Sequence, residues 1–283
     1  MQKVSVIIPS RNEQYLTKTV HDLFAKKRGD IEVIAVIDGG DWPPEWDKTA
    51  DKYPAKLITI HHGQSWGMRA SINQAASIAS GDFLMKTDAH CLFAKGFDEV
   101  LKADCGSKTI MVPRRYRLDP EKWEIIKDGR PPVDYEYLTP PDSNGGGLKG
   151  KIWDERAKER KDVQIDDLFL FQGSCWFMPR SYFYELDLMD EENYGTFWKE
   201  ALELSCKAWL SGGRVVVNKR TFYSHFHKVK RGYAMLSNDQ IKAHEFSKKW
   251  IDDSTGWSKQ TRSFKSLIQQ FNPPGWPEEY YQS

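Results

Sequence analysis

Three short apolar runs constrain the fold of this chain more than any other feature. Val4-Ser5-Val6-Ile7-Ile8-Pro9, Ile31 to Ile37 and Lys56 to Ile60 are rich in β-branched residues. They lack the alternation of a half-exposed strand and suit strands buried on both faces of a parallel sheet. Leu16, Val20, Leu23 and Phe24 recur at helical spacing between the first two runs. Ile72, Ala75, Ala76 and Ala79 do the same after the third, and Gly81 caps that helix. Strands joined by crossover helices make right-handed βαβ units. The pattern predicts an α/β fold with a doubly wound, mostly parallel sheet.

A fourth strand, Asp82-Phe83-Leu84-Met85, runs into Asp88 and His90. If extended backbone persists through Ala89, the period of two points both side chains the same way. A carboxylate and an imidazole then meet at the carboxyl end of a strand, where open α/β sheets bind ligands.

The formal net charge of +1 excludes a global field for a polyanionic partner and leaves only local basic patches. Aromatic residues reach 13%, with 11 Trp, which fits either surfaces for sugar rings or an aromatic core. The four cysteines form no C-x-x-C pair, so a structural zinc knuckle is not expected. No run approaches the roughly 20 apolar residues that span a bilayer. The N-terminal run is too short for a secretion signal. These features lead to the expectation of a soluble cytoplasmic protein with free thiols.

After His90 the chain is less regular. A helix is expected over Phe97 to Ala103 and a strand over Thr109 to Pro113. Residues 114–165 read as a polar, Pro- and Gly-punctuated insert, a functional lid or a disordered segment. Leu168 to Met178 returns to strand character broken by Gly173, and Phe197 to Ser211 is a strong helix. A strand follows at Arg214 to Val217, with Ser224-His225-Phe226-His227 just beyond it. We expect a main domain over 1–232 and a helical, aromatic extension over 233–283.

Four segments carry a family resemblance: VSVIIPSRNE, VIAVIDGGD, TDAHC, and QGSCWFMPRSYF followed by WKEALELSCKAWLSGG. Together they resemble nucleotide-sugar glycosyltransferases of the GT-A fold, in the family 2 style. They look most like the catalytic domain of polypeptide N-acetylgalactosaminyltransferases, over roughly residues 3–230.

The resemblance implies a metal-dependent transfer from a UDP-sugar. Asp88 and His90 match the family's Asp-x-His metal motif, and His225 matches the third ligand, with His227 as rival. A divalent cation offsets the charge of a departing nucleoside diphosphate. Mixed carboxylate and imidazole ligands fit Mn²⁺, with Mg²⁺ and Zn²⁺ as alternatives. Pro9, Arg11 and Glu13 match the first nucleotide loop. Asp38 matches the acidic residue at base and ribose, and a carboxylate there favours uridine. Gly173 and Ser174 match the turn beside the donor sugar. Arg69 could reach the diphosphate, although the family's arginine sits a few residues earlier, where this chain has Gln64 or Ser65. Glu200 matches the helix Glu that acts as general base or sugar ligand, and Glu203 lies one turn on. The basic loop of Lys228, Lys230, Arg231 and Tyr233 could close over the diphosphate.

This chain has Lys199-Glu200-Ala201 where the family has Gly-Gly-Glu-Asn, which leaves the stereochemistry open. The acceptor is also open: a protein, a glycan, a lipid-linked sugar or a modified DNA base. The relatives' membrane anchor and lectin domain are not in this sequence, and a bacterial or phage-type enzyme is expected. A non-catalytic nucleotide-sugar or glycan-binding module on the same fold is the alternative. A dinucleotide-binding oxidoreductase is excluded by the lack of G-x-G-x-x-G after the first strand.

Overall fold

The structure, a computed structural model, describes residues 2–142, 148–228 and 237–282. The N-terminal half runs β1 (Lys3–Ser10), α1 (Leu16–Lys26), β2 (Asp30–Asp38), α2 (Trp46–Lys52), β3 (Leu57–His62), α3 (Met68–Ile78), β4 (Phe83–Thr87), β5 (Cys91–Phe93), α4 (Phe97–Asp104) and β6 (Thr109–Asp119). Short elements follow: β7 (Glu124–Ile125), β8 (Glu136–Thr139), β9 (Lys149–Ile152), α5 (Asp154–Glu159) and β10 (Ile165–Asp167). The chain continues through β11 (Cys175–Pro179), α6 (Arg180–Glu185), α7 (Glu191–Tyr194), α8 (Glu200–Leu210) and β12 (Arg214–His225). It closes with α9 (Ser237–Lys248) and α10 (Phe264–Phe271).

The main sheet has the order β10-β12-β6-β11-β4-β1-β2-β3. Strands β1 to β4 are mutually parallel where they pair, as the βαβ reading requires. Strand β11 enters antiparallel between β4 and β6, and β12 runs parallel to β6. The pleat divides the core. Val4, Val6 and Ile8 pack with Leu16, Val20 and Leu23 of α1 on one face. Ile7, Ile34 and Val36 pack with Ile72, Ala75 and Ala76 of α3 on the other.

The described parts of 114–165 carry more regular structure than their composition suggests. Strand β6 continues through Pro113 to Asp119, and β12 extends to His225 beside it across a register shift between Asn218 and Phe222. Charged residues on β6 find partners across the sheet: Arg114 pairs bidentately with Asp134 and Arg115 pairs with Glu136. Strands β8 and β9 form a separate antiparallel pair. The C-terminal extension shares the core of the sheet through Phe264, Leu267, Ile268, Phe271 and Trp276. The Trp276 indole donates to the Leu138 carbonyl at 2.7 Å, so the tail braces β8. Among the described residues no helix is long and apolar enough to cross a membrane.

Candidate active site

The carboxyl ends of β1, β2 and β4 open onto a cavity of about 860 Å³, within the usual range for small-molecule sites. Strand β4 ends at Thr87, and residues 88–90 form a bend instead of the extended continuation expected. Asp88 and His90 converge all the same, because β5 and β12 pair just beyond them with His225 opposite Cys91. Nε2 of His225 lies 3.1 Å from Nε2 of His90 and 3.2 Å from Oδ2 of Asp88. His90 Nε2 is 3.9 Å from the same Asp88 oxygen. Ligand atoms of these three residues all lie within 4.8 Å of one another. His227, the rival, lines the cavity outside this group.

Electrostatics favour the ligand forms. Burial pushes the His225 imidazole down to about 4, partly offset by the Asp88 carboxylate. His225 is therefore neutral near pH 7, as a metal ligand must be. Burial works against the Asp88 carboxylate, but Lys86 and His225 outweigh it and hold its pKa far below the usual range. Glu13 reaches Nδ1 of His90 at 3.2 Å, the carboxylate–histidine arrangement that fixes a ligating ring. Lys228 in turn pairs with Glu13. A carboxylate oxygen and two imidazole nitrogens fit a divalent ion of the Mn²⁺ or Zn²⁺ type. Lys230, Arg231 and Tyr233 lie outside the described residues.

Asp38 ends β2 on the cavity wall, beside Pro9 and Arg11. Its carboxylate accepts from His62 Nδ1, Ser65 Oγ, Trp66 N and Gly67 N at 2.7–2.9 Å. Burial opposes this charge, but those hydrogen bonds prevail and its pKa is lowered. They use the acceptor sites a carboxylate offers. Asp38 thus holds the 65–67 loop in place on the cavity wall.

The start of α8 also lines the cavity, with Glu200 as the first residue of the helix. Helix character begins at Glu200, not at Phe197, because Lys199 adopts a left-handed conformation. Glu200 is 7% exposed. It accepts from Trp176 Nε1 at 2.7 Å and Lys86 Nζ at 3.1 Å. Burial raises its pKa, with Lys86 opposing. A Cβ on Gly173 would stand 2.8 Å from Glu200 Oε2, so any side chain there would displace the Glu200 carboxylate. Ser174 lines the same wall and bonds Tyr223 at 2.7 Å.

Two residues expected at the cleft are not on its wall. Arg69 and Glu203 are both fully buried and pair with each other. Arg69 also donates to the Trp198 carbonyl at 2.7 Å and lies over the Tyr194 ring. Glu203 also receives Lys207 at 2.8 Å. Arg69 cannot reach a diphosphate, nor Glu203 an acceptor hydroxyl, without breaking that cluster. One residue went unnoticed in the sequence. Lys86 of β4 is 1% exposed and lines the cavity. A lysine inside an apolar strand, two positions before Asp88 and so on its side, was the available signal.

The glycosyl transferase family 2 model matches residues 5–187. Among curated proteins the chain is 24% identical over 272 residues to Probable N-acetylgalactosaminyltransferase 7 of Caenorhabditis elegans, covering 88% of this chain and 44% of that protein. It is 23% identical over 278 residues to Putative polypeptide N-acetylgalactosaminyltransferase 9 of Drosophila melanogaster, covering 89% and 40%. The chain thus spans less than half the length of these relatives. Among solved structures, GalNAc-T7 with UDP, GalNAc and Mn²⁺ superposes with a TM-score of 0.74 at 18% identity, covering 96% of this chain and 57% of that one. S. aureus TarS in complex with UDP-GlcNAc gives 0.55 at 16% identity, covering 85% and 64%. The fold is the GT-A arrangement of glycosyltransferases. The chain belongs to glycosyl transferase family 2.

Proposed function

We propose that this chain transfers a sugar from a UDP-sugar to an acceptor hydroxyl with the help of a divalent cation. The observation that carries the reading is the convergence of Asp88, His90 and His225 on a cavity that Glu200 also lines. The cation, Mn²⁺ by the nature of the ligands and Mg²⁺ otherwise, would offset charge on the departing diphosphate. Asp88, His90 and His225 would hold it, and Glu13 keeps the His90 ring turned toward it. Pro9, Arg11 and the Asp38-anchored loop would border the nucleotide. Gly173, Ser174 and Glu200 would border the sugar, with Glu200 as a hydrogen-bond acceptor or general base.

The cavity wall also carries the apolar residues Leu138, Leu148, Leu170 and Trp198, together with Glu136 and Lys199; we take this group as one end of the cavity. It is built from β8, the approach to β9, and the run-in to α8. We assign the acceptor to that end, and Trp276 supports it from below. The cysteines Cys91, Cys105, Cys175 and Cys206 are free thiols, which suits a reducing compartment such as the cytoplasm.

The test is release of UDP from UDP-GalNAc and UDP-GlcNAc, the sugars named with similar proteins, in the presence of Mn²⁺. Release that chelator abolishes is expected. Tight UDP binding without turnover, for any donor or acceptor extract, would instead favour a binding module.

A further inference from the structure

We propose that Lys86 is a positioning residue that ties the cation site to the sugar-side carboxylate; this rests on the reading of the cavity as a glycosyl-transfer site. An ammonium carries three protons and no acceptor. Lys86 Nζ donates to Asp88 Oδ1 at 2.9 Å, Glu200 Oε2 at 3.1 Å and the Gly173 carbonyl at 2.6 Å. Every proton is engaged, so Lys86 has none to offer a substrate and acts through its partners.

Each carboxylate is divided the same way. Asp88 gives one oxygen to Lys86 and turns the other toward His225 at 3.2 Å. Glu200 gives one oxygen to Lys86 and the other to the Trp176 indole. Two carboxylates this close repel strongly where water is scarce. The cation between them sets their separation and their aim. Lys86 also pins the Gly173 carbonyl, and so the turn that leaves room for Glu200. One side chain thereby fixes three walls of the site relative to one another. All four residues of this cluster, Lys86, Asp88, Gly173 and Glu200, line the cavity.

The test uses Lys86→Met, of similar length and without charge. With UDP-sugar turnover as readout, kcat should fall about 100-fold, while the dissociation constant for UDP measured without added metal stays within about threefold. Because part of its action runs through Glu200, Lys86→Met should cost at least about tenfold less kcat in a Glu200→Gln background than in the wild type. An unchanged kcat, or losses that multiply in the double variant, would overturn the proposal. A second readout needs no turnover. The Trp176 indole N–H resonance, identified by its loss in Trp176→Phe, should move in Lys86→Met and stay in place in Lys3→Met. If it stays in place in both, Lys86 does not position Glu200. Should the wild type release no UDP, the functional reading fails and this resonance alone decides the positional one. Should Lys86→Met not fold, Lys86→Gln is measured with the same expectations and the same overturning results.

Discussion

Helix α8 carries two buried glutamates one turn apart, and they serve opposite ends. Glu203 sits between Arg69 and Lys207, with none of the three on the cavity wall. Glu200 sits between Lys86 and Trp176, and both it and Lys86 line the cavity. Residues three apart lie on nearly the same helix face, so angular position does not separate them. Depth does. The helix starts at the cavity wall, and three residues advance about 4.5 Å along its axis. Glu200 to Leu202 therefore line the cavity, and Glu203 is turned into the core. We propose that these chemically similar clusters differ in role because one borders the cavity and the other does not.

This contrast can be broken by exchange of single residues. Glu203→Ala should cost about 3–5 kcal/mol of stability, because Arg69 is left as an uncompensated buried charge. Denaturant unfolding should show this as a lower midpoint with unchanged slope. Glu200→Gln should leave the unfolding midpoint nearly in place while turnover falls about 100-fold or more. If both variants lose stability alike and the Glu200 variant keeps full turnover, depth on the helix does not divide their roles. Gly173→Ala is a milder probe of the open cluster. Its Cβ would crowd Glu200 Oε2, so kcat should drop about tenfold with UDP binding retained.

A third carboxylate, far from the cavity, sets the scale for a purely structural charge. Glu32 is opposed by burial, but hydrogen bonds from Lys3, Ser5 and Ser80 lower its pKa to about 2. Its folded pKa lies below the unfolded value of 4.5. Its contribution is therefore full above about pH 4.5 and is lost as pH falls toward 2, at most about 3 kcal/mol. Glu32→Gln should flatten the acid limb of the stability profile and leave turnover at neutral pH untouched. A loss of activity in that variant would show that the amino end of β2 communicates with the site.

The parts legible in the sequence were those with local signals. The β-branched runs of β1 to β3 and the helical spacing of α1 and α3 gave the parallel half of the sheet. The Asp-x-His motif, His225 and Glu200 were legible through the family resemblance. What escaped was decided by distant pairing. Arg114 to Arg117 look like loop residues, yet they extend β6 because β12 pairs beside them and Asp134 and Glu136 answer two of their charges. Arg69 looks like a phosphate ligand by charge and position. Only the packing of α3 against the Trp198 and Glu203 region turns it inward. Lys86 escaped because an apolar strand invites a purely structural reading.

The central claim is that Asp88, His90 and His225 hold a divalent cation. A titration of the protein with Mn²⁺ in the presence of UDP, followed by the paramagnetic signal of free Mn²⁺, tests it most directly. The account predicts saturable binding in the wild type that is lost in Asp88→Ala, with the circular dichroism spectrum unchanged. Undiminished Mn²⁺ binding in a folded Asp88→Ala variant would contradict it.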